Sequence, residues 1–303
     1  MILVLLAAAV VAISYVCFRM AFYISDKEKR ENAARILPPG EEYAPYHGAM
    51  QRWQDEVKTF PREEFSITSF DGLTLKGRYY ERFPGAPIEL MFHGYRGNAM
   101  RDLCGGVQRC FACGRNALLV DQRASGESEG NVITFGIRER KDCLAWVAFM
   151  RRHFGADVKI ILTGISMGAA TVLMAAGEDL PENVIGVLAD CGYTSAKDII
   201  CKVISQMKLP PRLAYPFVKL GARLFGGFDL EESAPVEAVK RAKVPVIFFH
   251  GQSDDFVPCD MSRQMYDACT ARKHLHTVPG AAHGLAFPAD EETYLSVLRE
   301  FFP

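Results

Sequence analysis

The stretch GISMG at residues 164–168 follows the apolar run at residues 158–162 and precedes the alanine-rich run at residues 169–176. The first run predicts a buried strand and the second a helix. A serine between glycines at such a turn is typical of a strained strand-to-helix elbow, because neighbouring β-carbons would clash there. The pattern predicts that the hydroxyl of Ser166 lies at a helix N-terminus, where amides and the helix dipole stabilise negative charge.

From residue 65 onward, short apolar segments alternate with helix-prone ones. Residues 65–70 and 73–80 flank Asp71-Gly72, which is a hairpin signal. Further strands are predicted at residues 88–92, 117–120, 158–162, 184–189, 244–249 and 274–278. Helices are predicted at residues 99–113, 138–153, 167–178, 261–271 and 291–302. Because most strands are apolar on both faces, the fold class is predicted as α/β, with an open, doubly wound, mostly parallel sheet. Active sites in such sheets lie at the carboxyl ends of the strands.

One segment interrupts this alternation. Residues 190–243 separate two predicted strands and contain the apolar-periodic runs 199–207 and 214–224, with Pro210-Pro211 between them. The pattern predicts a small helical cap at about residues 193–240, inserted over the carboxyl edge of the sheet. A longer helical crossover is the alternative.

The N-terminus is strongly apolar. Residues 1–18 carry no charged side chain, Arg19 follows, and residues 20–24 are apolar again. Eighteen helical residues span about 27 Å, close to the thickness of a bilayer's hydrocarbon layer. The alternatives are a cleaved signal peptide, which normally has a basic start and a small-residue cleavage site, and a buried core helix, which would be unusually uniform round its circumference. The sequence predicts a membrane anchor at residues 1–24, a linker and approach segment at 25–61, and an α/β domain at 62–303.

Charge and cysteine content bear on the location. Basic residues follow the predicted span and none precedes it: Arg19, Lys27, Lys29, Arg30 and Arg35. The positive-inside rule therefore predicts that the main domain lies on the cytoplasmic face of the membrane. An odd number of cysteines, nine, does not indicate a secreted disulfide scaffold. The net charge of -1 without a basic cluster predicts no nucleic-acid partner.

A serine nucleophile needs a base and an orienting carboxylate. His283 is the candidate base, since it follows the last predicted strand in a glycine-rich loop. The acid candidates Asp254 and Asp255 both follow the strand at 244–249. Asp255 has an alternative role as the cap of the next helix. Asp190, after an earlier strand, is a further acid candidate.

Two backbone amides are the predicted oxyanion donors. One belongs to Met167, which follows the serine, and the other to Tyr95 in the glycine-containing loop at residues 92–98. A plain strand-to-helix turn is the alternative for this loop. His93 and His250 each end a strand as His-Gly, and both are predicted to brace loop backbone.

No metal or cofactor is expected. Cys104, Cys110 and Cys113 lack a fourth ligand at suitable spacing and are predicted to be packed thiols. The glycine-rich stretch at 164–168 lacks the lysine that a phosphate-binding loop requires.

Together, these motifs resemble the α/β-hydrolase superfamily, in particular its esterase-like and serine-aminopeptidase-like hydrolases. The stretches that carry the resemblance are HGYRG at 93–97, DQRASGES at 121–128, GISMG at 164–168, HGQSD at 250–254 with VP at 257–258, and HG at 283–284. The resemblance covers the chain from residue 65 onward and implies a triad of Ser166, Asp254 and His283, in the superfamily's chain order. Relatives commonly have Gly-His where this chain has Ala124-Ser125, a position outside the triad.

The resemblance implies a serine hydrolase that cleaves an acyl ester through an acyl-enzyme, in the manner of a carboxylesterase or lipase. The same triad also serves amide, peptide or thioester hydrolysis and acyl transfer, and a non-enzymatic binding protein with this fold is a further alternative. Combined with the predicted anchor, the resemblance leads us to expect a small-molecule or lipidic acyl substrate.

Overall fold

The computed structural model describes residues 1–302 and contains an eight-stranded sheet in the order β1-β2-β4-β3-β5-β6-β7-β8. The strands are β1 (Glu63–Thr68), β2 (Thr74–Tyr80), β3 (Ile88–Phe92), β4 (Asn116–Asp121), β5 (Ile160–Ile165), β6 (Val184–Asp190), β7 (Val246–Gly251) and β8 (Lys273–Val278). The β1–β2 and β2–β4 pairings are antiparallel, and the remaining pairings are parallel. The predicted α/β class and the mostly parallel mixed sheet are confirmed.

Helices cover both faces of the sheet, and β3 and β4 are consequently buried along their whole length. The helices are α1 (Ile2–Ala21), α2 (Asp26–Ala34), α3 (His47–Thr59), α4 (Ala99–Asp102), α5 (Gly106–Ala112), α6 (Glu139–His153), α7 (Met167–Ala176), α8 (Ala196–Gln206), α9 (Pro211–Gly221), α10 (Pro235–Ala238), α11 (Cys259–Ala268), α12 (Ala286–Ala289) and α13 (Glu291–Phe301).

The prediction of a single helix at residues 99–113 is wrong in one respect, because the structure divides this stretch into α4 and α5. Gly105, between them, has a φ of 80°, a left-handed conformation that interrupts the helix. A β-carbon at Gly105 would also lie 2.8 Å from the indole ring of Trp53. The packing of α3 therefore adds a second reason for glycine at this break.

The N-terminal helix α1 is a candidate transmembrane helix. Its 20 residues span about 30 Å, and only 11% of its most apolar window is buried, unlike a core helix. The part that does pack contacts α9. Ser14 and Phe18 are buried there, and a β-carbon at Gly221 would overlap the Ser14 carbonyl oxygen. Length and composition alone suit either a membrane anchor or a signal sequence.

Residues 25–61, predicted as a linker and approach segment, contain two α-helices and a 3₁₀ helix, of which α3 packs on the domain. Helix α2 begins with a capping box between Ser25 and Glu28, and a 3₁₀ helix (Glu41–Tyr46) leads into α3. Met50 and Val57 of α3 are buried against the domain. The mixed charges that suggested a linker lie on exposed helix faces, which is why the composition alone did not predict the packing.

Helices α8 and α9 follow β6, at the place predicted for the cap. They pack on each other, and α9 packs on α1. Buried side chains of α1, α8 and α9 form one apolar cluster that includes Met167 of the elbow. These helices therefore lie close to Ser166. The division of the chain into anchor, approach segment and capped domain stays a prediction.

Candidate active site

Ser166 lies between the end of β5 and the start of α7, in a strained conformation with φ 56° and ψ −116°. A non-glycine residue with positive φ is uncommon and marks a constrained position. The flanking glycines permit it, because a β-carbon at Gly168 would overlap the carbonyl oxygen of Phe92 and one at Gly164 would overlap that of Gly168. The structure thus contains the elbow that the sequence predicts, with Ser166 at the N-terminus of α7.

Ser166, His283 and Asp254 form one hydrogen-bonded chain. His283 Nε2 lies 2.9 Å from Ser166 Oγ, and His283 Nδ1 lies 2.7 Å from Asp254 Oδ2. The three residues come from loops after β5, β7 and β8, at the carboxyl edge of the sheet. This geometry allows the imidazole to accept the serine proton while the carboxylate holds the opposite ring nitrogen.

The Asp254 carboxylate has four hydrogen-bond donors around it. Its Oδ1 accepts the amides of Phe256 at 3.0 Å and Val257 at 2.7 Å, and its Oδ2 lies near both His283 and His250. Burial raises the pKa of Asp254, but the hydrogen bonds from His250 and His283 outweigh it and lower the pKa to about 2. The carboxyl group is therefore ionised at neutral pH.

The other two acid candidates lie apart from His283. Asp255 is exposed, and its carbonyl oxygen accepts a hydrogen bond from Gln206. Asp190 is buried, and its Oδ2 accepts the Tyr294 hydroxyl at 3.0 Å. Burial also raises the pKa of Asp190. The structure brings only Asp254 of the three into hydrogen-bonding distance of the His283 ring, among residues 1–302.

The two predicted oxyanion donors flank Ser166. Among the described residues, the amides of Tyr95 and Met167 donate to no backbone carbonyl, so both are free to bind a ligand oxygen. The Tyr95 loop approaches the elbow closely, since a β-carbon at Gly94 would lie 3.5 Å from Ser166 Cβ. The loop is held by a hydrogen bond of 3.1 Å from the Gly94 amide to Asp102 Oδ2.

Two interactions at the site were not predicted from the sequence. His250, expected only to brace backbone, contacts the Val257 carbonyl at 2.8 Å and also the Asp254 carboxylate at 3.1 Å. The Tyr95 hydroxyl donates to the carbonyl of Ala21 at 2.8 Å, which ties its loop to the end of α1. The spacing of four residues between His250 and Asp254 was a signal for the first contact. No local signal existed for the second.

Arg96 strengthens the link between this loop and α1. Its guanidinium donates to the carbonyl oxygens of Met20 and Tyr23, each at 3.0 Å, and to the Tyr95 hydroxyl at 2.9 Å. Carbonyls at a helix C-terminus lack intrahelical partners and carry partial negative charge, so a guanidinium is well matched to them.

Two cavities meet at Ser166. The larger, about 440 Å³, has ionisable groups in its lining, among them Glu42, Arg101 and Asp190. The smaller, about 250 Å³, is lined mainly by apolar side chains of α1 and α8. Cavities of this size suit a small-molecule ligand.

The cysteines predicted as packed thiols do not converge on a ligand set. Within residues 1–302, the group of potential metal ligands is Cys191, Asp254 and His283. Both ring nitrogens of His283 already have partners, and burial raises the pKa of Cys191 well above its usual value. These residues therefore do not offer the deprotonated thiolate that a metal site would use.

Known proteins are similar to this chain in sequence or in structure. The chain is 24% identical over 297 residues to the uncharacterized protein YqkD of Bacillus subtilis, covering 98% of this chain and 94% of that protein. It is 34% identical over 127 residues to the thiohydrolase aneE of Aspergillus aculeatus, covering 40% of this chain and 39% of that protein. The Pyrococcus furiosus esterase Pf2001 superposes with a TM-score of 0.65 at 23% identity, over 81% of this chain and 92% of that one.

The sheet order, the elbow and the likeness to Pf2001 define a protein with the α/β-hydrolase fold. The model of the prolyl oligopeptidase family matches residues 134–302, more than half of the chain. The chain therefore belongs to the prolyl oligopeptidase family, and it is a serine hydrolase of that family.

Proposed function

We propose that this protein hydrolyses an acyl ester, with Ser166 as nucleophile, His283 as general base and Asp254 as the carboxylate that orients it. The observation that carries the proposal is the unbroken chain from Ser166 Oγ to His283 at 2.9 Å and on to Asp254 at 2.7 Å. This order supports the assignment, because a base must reach the serine proton and a carboxylate must fix the ring tautomer.

In the proposed acylation step, Ser166 Oγ attacks the ester carbonyl carbon while His283 Nε2 takes the hydroxyl proton. The bond to the alcohol oxygen then breaks, and the proton passes from His283 to the departing alcohol. In deacylation, water attacks the acyl group and gives its proton to His283. The acid leaves as that proton returns to Ser166. Asp254 stays ionised throughout and stabilises the imidazolium.

The amides of Tyr95 and Met167 are the proposed donors to the tetrahedral oxyanion. Support comes from their closeness to Ser166, since Met167 is the next residue and the Tyr95 loop approaches the serine, and from the absence of a backbone acceptor for either among residues 1–302. Preorganised donors cost no reorganisation during the reaction, and a single one commonly contributes about 10²–10³-fold to kcat.

Ester hydrolysis is preferred among the reactions open to this triad for two reasons. An apolar cavity reaches Ser166 and suits an acyl group. The P. furiosus protein with the same fold is described as an esterase. Thioester hydrolysis is the second candidate, because the A. aculeatus relative is named a thiohydrolase.

The proposal is tested with one octanoyl group presented as a p-nitrophenyl ester, a thioester and an anilide. We expect full-length protein to turn over the ester with the highest kcat/KM and the anilide not at all. If kcat/KM for the thioester exceeds that for the ester by about tenfold or more, thioester hydrolysis replaces ester hydrolysis as the proposed function. Turnover of the anilide alone, or of none of the three, would contradict the proposal.

We further propose that α1 anchors the protein in a membrane, with the main domain at residues 62–303, including a cap at 193–240, on the cytoplasmic face. Basic residues on one side of α1 support this orientation. The full-length protein should stay in the membrane pellet after alkaline carbonate extraction. Protease added outside intact cells should leave the domain uncut. Cleavage of the domain would contradict the cytoplasmic orientation.

A further inference from the structure

The apolar cavity of about 250 Å³ is built in part by the N-terminal helix. It reaches Ser166, and α1 contributes Cys17, Met20 and Ala21 to its lining, while α8 contributes Val203 among others. The same helix is the candidate transmembrane span. The candidate transmembrane helix therefore forms one wall of the space next to Ser166.

The tyrosine hydroxyls in the lining of this cavity are already paired with backbone. Tyr95 donates to the Ala21 carbonyl at 2.8 Å, and Tyr193 donates to the Phe135 carbonyl at 3.1 Å. A ligand here would consequently gain little from hydrogen bonds away from Ser166. The cavity is suited to a hydrocarbon chain, whose binding is driven by removal of apolar surface from water.

The second cavity at Ser166 has a mixed lining, in which apolar side chains such as Met50 and Phe287 lie beside ionisable ones. Its lining includes Glu42, Arg101, Asp102 and Asp190. Within residues 1–302, the buried Asp190 Oδ1 atom has no hydrogen-bond partner. A hydrocarbon chain there would leave Asp190 Oδ1 without water or a partner, which is costly. An ester at Ser166 would thus place its acyl chain in the cavity lined mainly by apolar side chains and its alcohol in the cavity that also contains ionisable groups.

The apolar cavity also borders an exposed apolar surface beside α1. Met207 and Leu209 line it and are themselves 51% and 48% exposed. Nearby, Phe225 is exposed, and its ring contacts that of Tyr15 on α1 with centroids 5.1 Å apart. Exposed apolar side chains next to a membrane span are suited to insertion into the bilayer interface.

We propose that this cavity binds the acyl chain of a bilayer lipid ester, so that α1 serves both as membrane anchor and as one wall of the acyl site. The inference rests on the proposed ester hydrolysis at Ser166. The chain enters past Met207 and Leu209, and its carbonyl meets Ser166. Hydrogen bonds from Tyr95 and Arg96 to the end of α1 join the same helix to the proposed oxyanion loop.

The test uses full-length protein in vesicles of diether phosphatidylcholine, which contains no ester bond. The measured quantity is the ratio of kcat/KM for p-nitrophenyl palmitate to that for p-nitrophenyl acetate. We expect the wild type to favour palmitate. Val203→Trp and Ala21→Trp, which fill the cavity from α8 and from α1, should each lower the ratio by about tenfold or more, because they exclude several methylenes.

Each variant has a control on the same helix. Ser205→Trp on α8 and Leu6→Trp on α1 alter exposed residues outside the cavity, so the ratio should not change. An unfolded fraction lowers both kcat/KM values equally, so it does not change their ratio when both are measured on one sample. An acetate preference in the wild type, or an unchanged ratio in both cavity variants, would overturn this inference alone. Loss of all ester turnover by the wild type would remove the proposed function as well.

Discussion

Replacement of Ser166 by alanine is expected to lower kcat for p-nitrophenyl ester hydrolysis by about 10⁴–10⁶-fold. Alanine lacks the hydroxyl oxygen Oγ, which lies 2.9 Å from His283 Nε2. This oxygen is the atom that His283 would activate and that would carry the acyl group. Covalent labelling by a fluorophosphonate probe should be lost together with turnover, because both reactions need the same nucleophile.

The matched control is Ser253→Ala, which alters an exposed serine next to Asp254. Both turnover and labelling should stay within about threefold of the wild type, as expected for an exposed substitution. Alanine at Ser166 fits the buried space, so thermal unfolding of that variant should resemble the wild type. Persistent labelling of Ser166→Ala would place the nucleophile elsewhere in the chain.

Asp254→Asn is expected to lower kcat by about 10⁴-fold, whereas Asp255→Asn should leave it within a few-fold. The asparagine amide would donate to His283 Nδ1, which lies 2.7 Å from Asp254 Oδ2. The ring proton would then move to Nε2, and the imidazole could no longer accept the serine proton. Asp255 is exposed, and among residues 1–302 it is its backbone carbonyl that accepts a hydrogen bond, from Gln206. Steady-state kinetics on both variants separates the two adjacent acids, and equal losses would reject Asp254 as the sole orienting group.

The low pKa of Asp254 also predicts how the difference in stability between the wild type and Asp254→Asn changes with pH. Burial raises this pKa, and the hydrogen bonds from His250 and His283 lower it to about 2, below the ordinary value of 3.8. A carboxyl with a depressed folded-state pKa stabilises the fold above its unfolded pKa, and this contribution is lost as pH falls toward the folded one. Urea unfolding should show the wild type losing part of its advantage over Asp254→Asn between pH 4 and pH 2. A difference that stays constant across that interval would contradict the ionised state of Asp254.

Local patterns in the sequence were sufficient for the architecture. Strand periodicity and glycine positions predicted all eight strands, and the order of the motifs placed Ser166, His283 and the acid candidates after strands at one edge of the sheet. These predictions succeed because a buried parallel strand must be apolar on both faces, and an elbow must have small neighbours. The break at Gly105 was missed, since α4 and α5 are each too short for a clear helical period.

By itself, then, the sequence determined the α/β fold, the elbow at Ser166 and the short set of residues able to work with it. The resemblance favoured Asp254, and the tertiary structure brings its carboxylate to His283. Only the tertiary structure decided how residues 25–61 pack and that α1 lines a cavity at Ser166. The physical reason is the range of the interactions. Turn strain and strand periodicity act between neighbours in the chain, whereas the contact between Tyr95 and Ala21 joins residues 74 positions apart. Such contacts exist only once the sheet has brought its loops together.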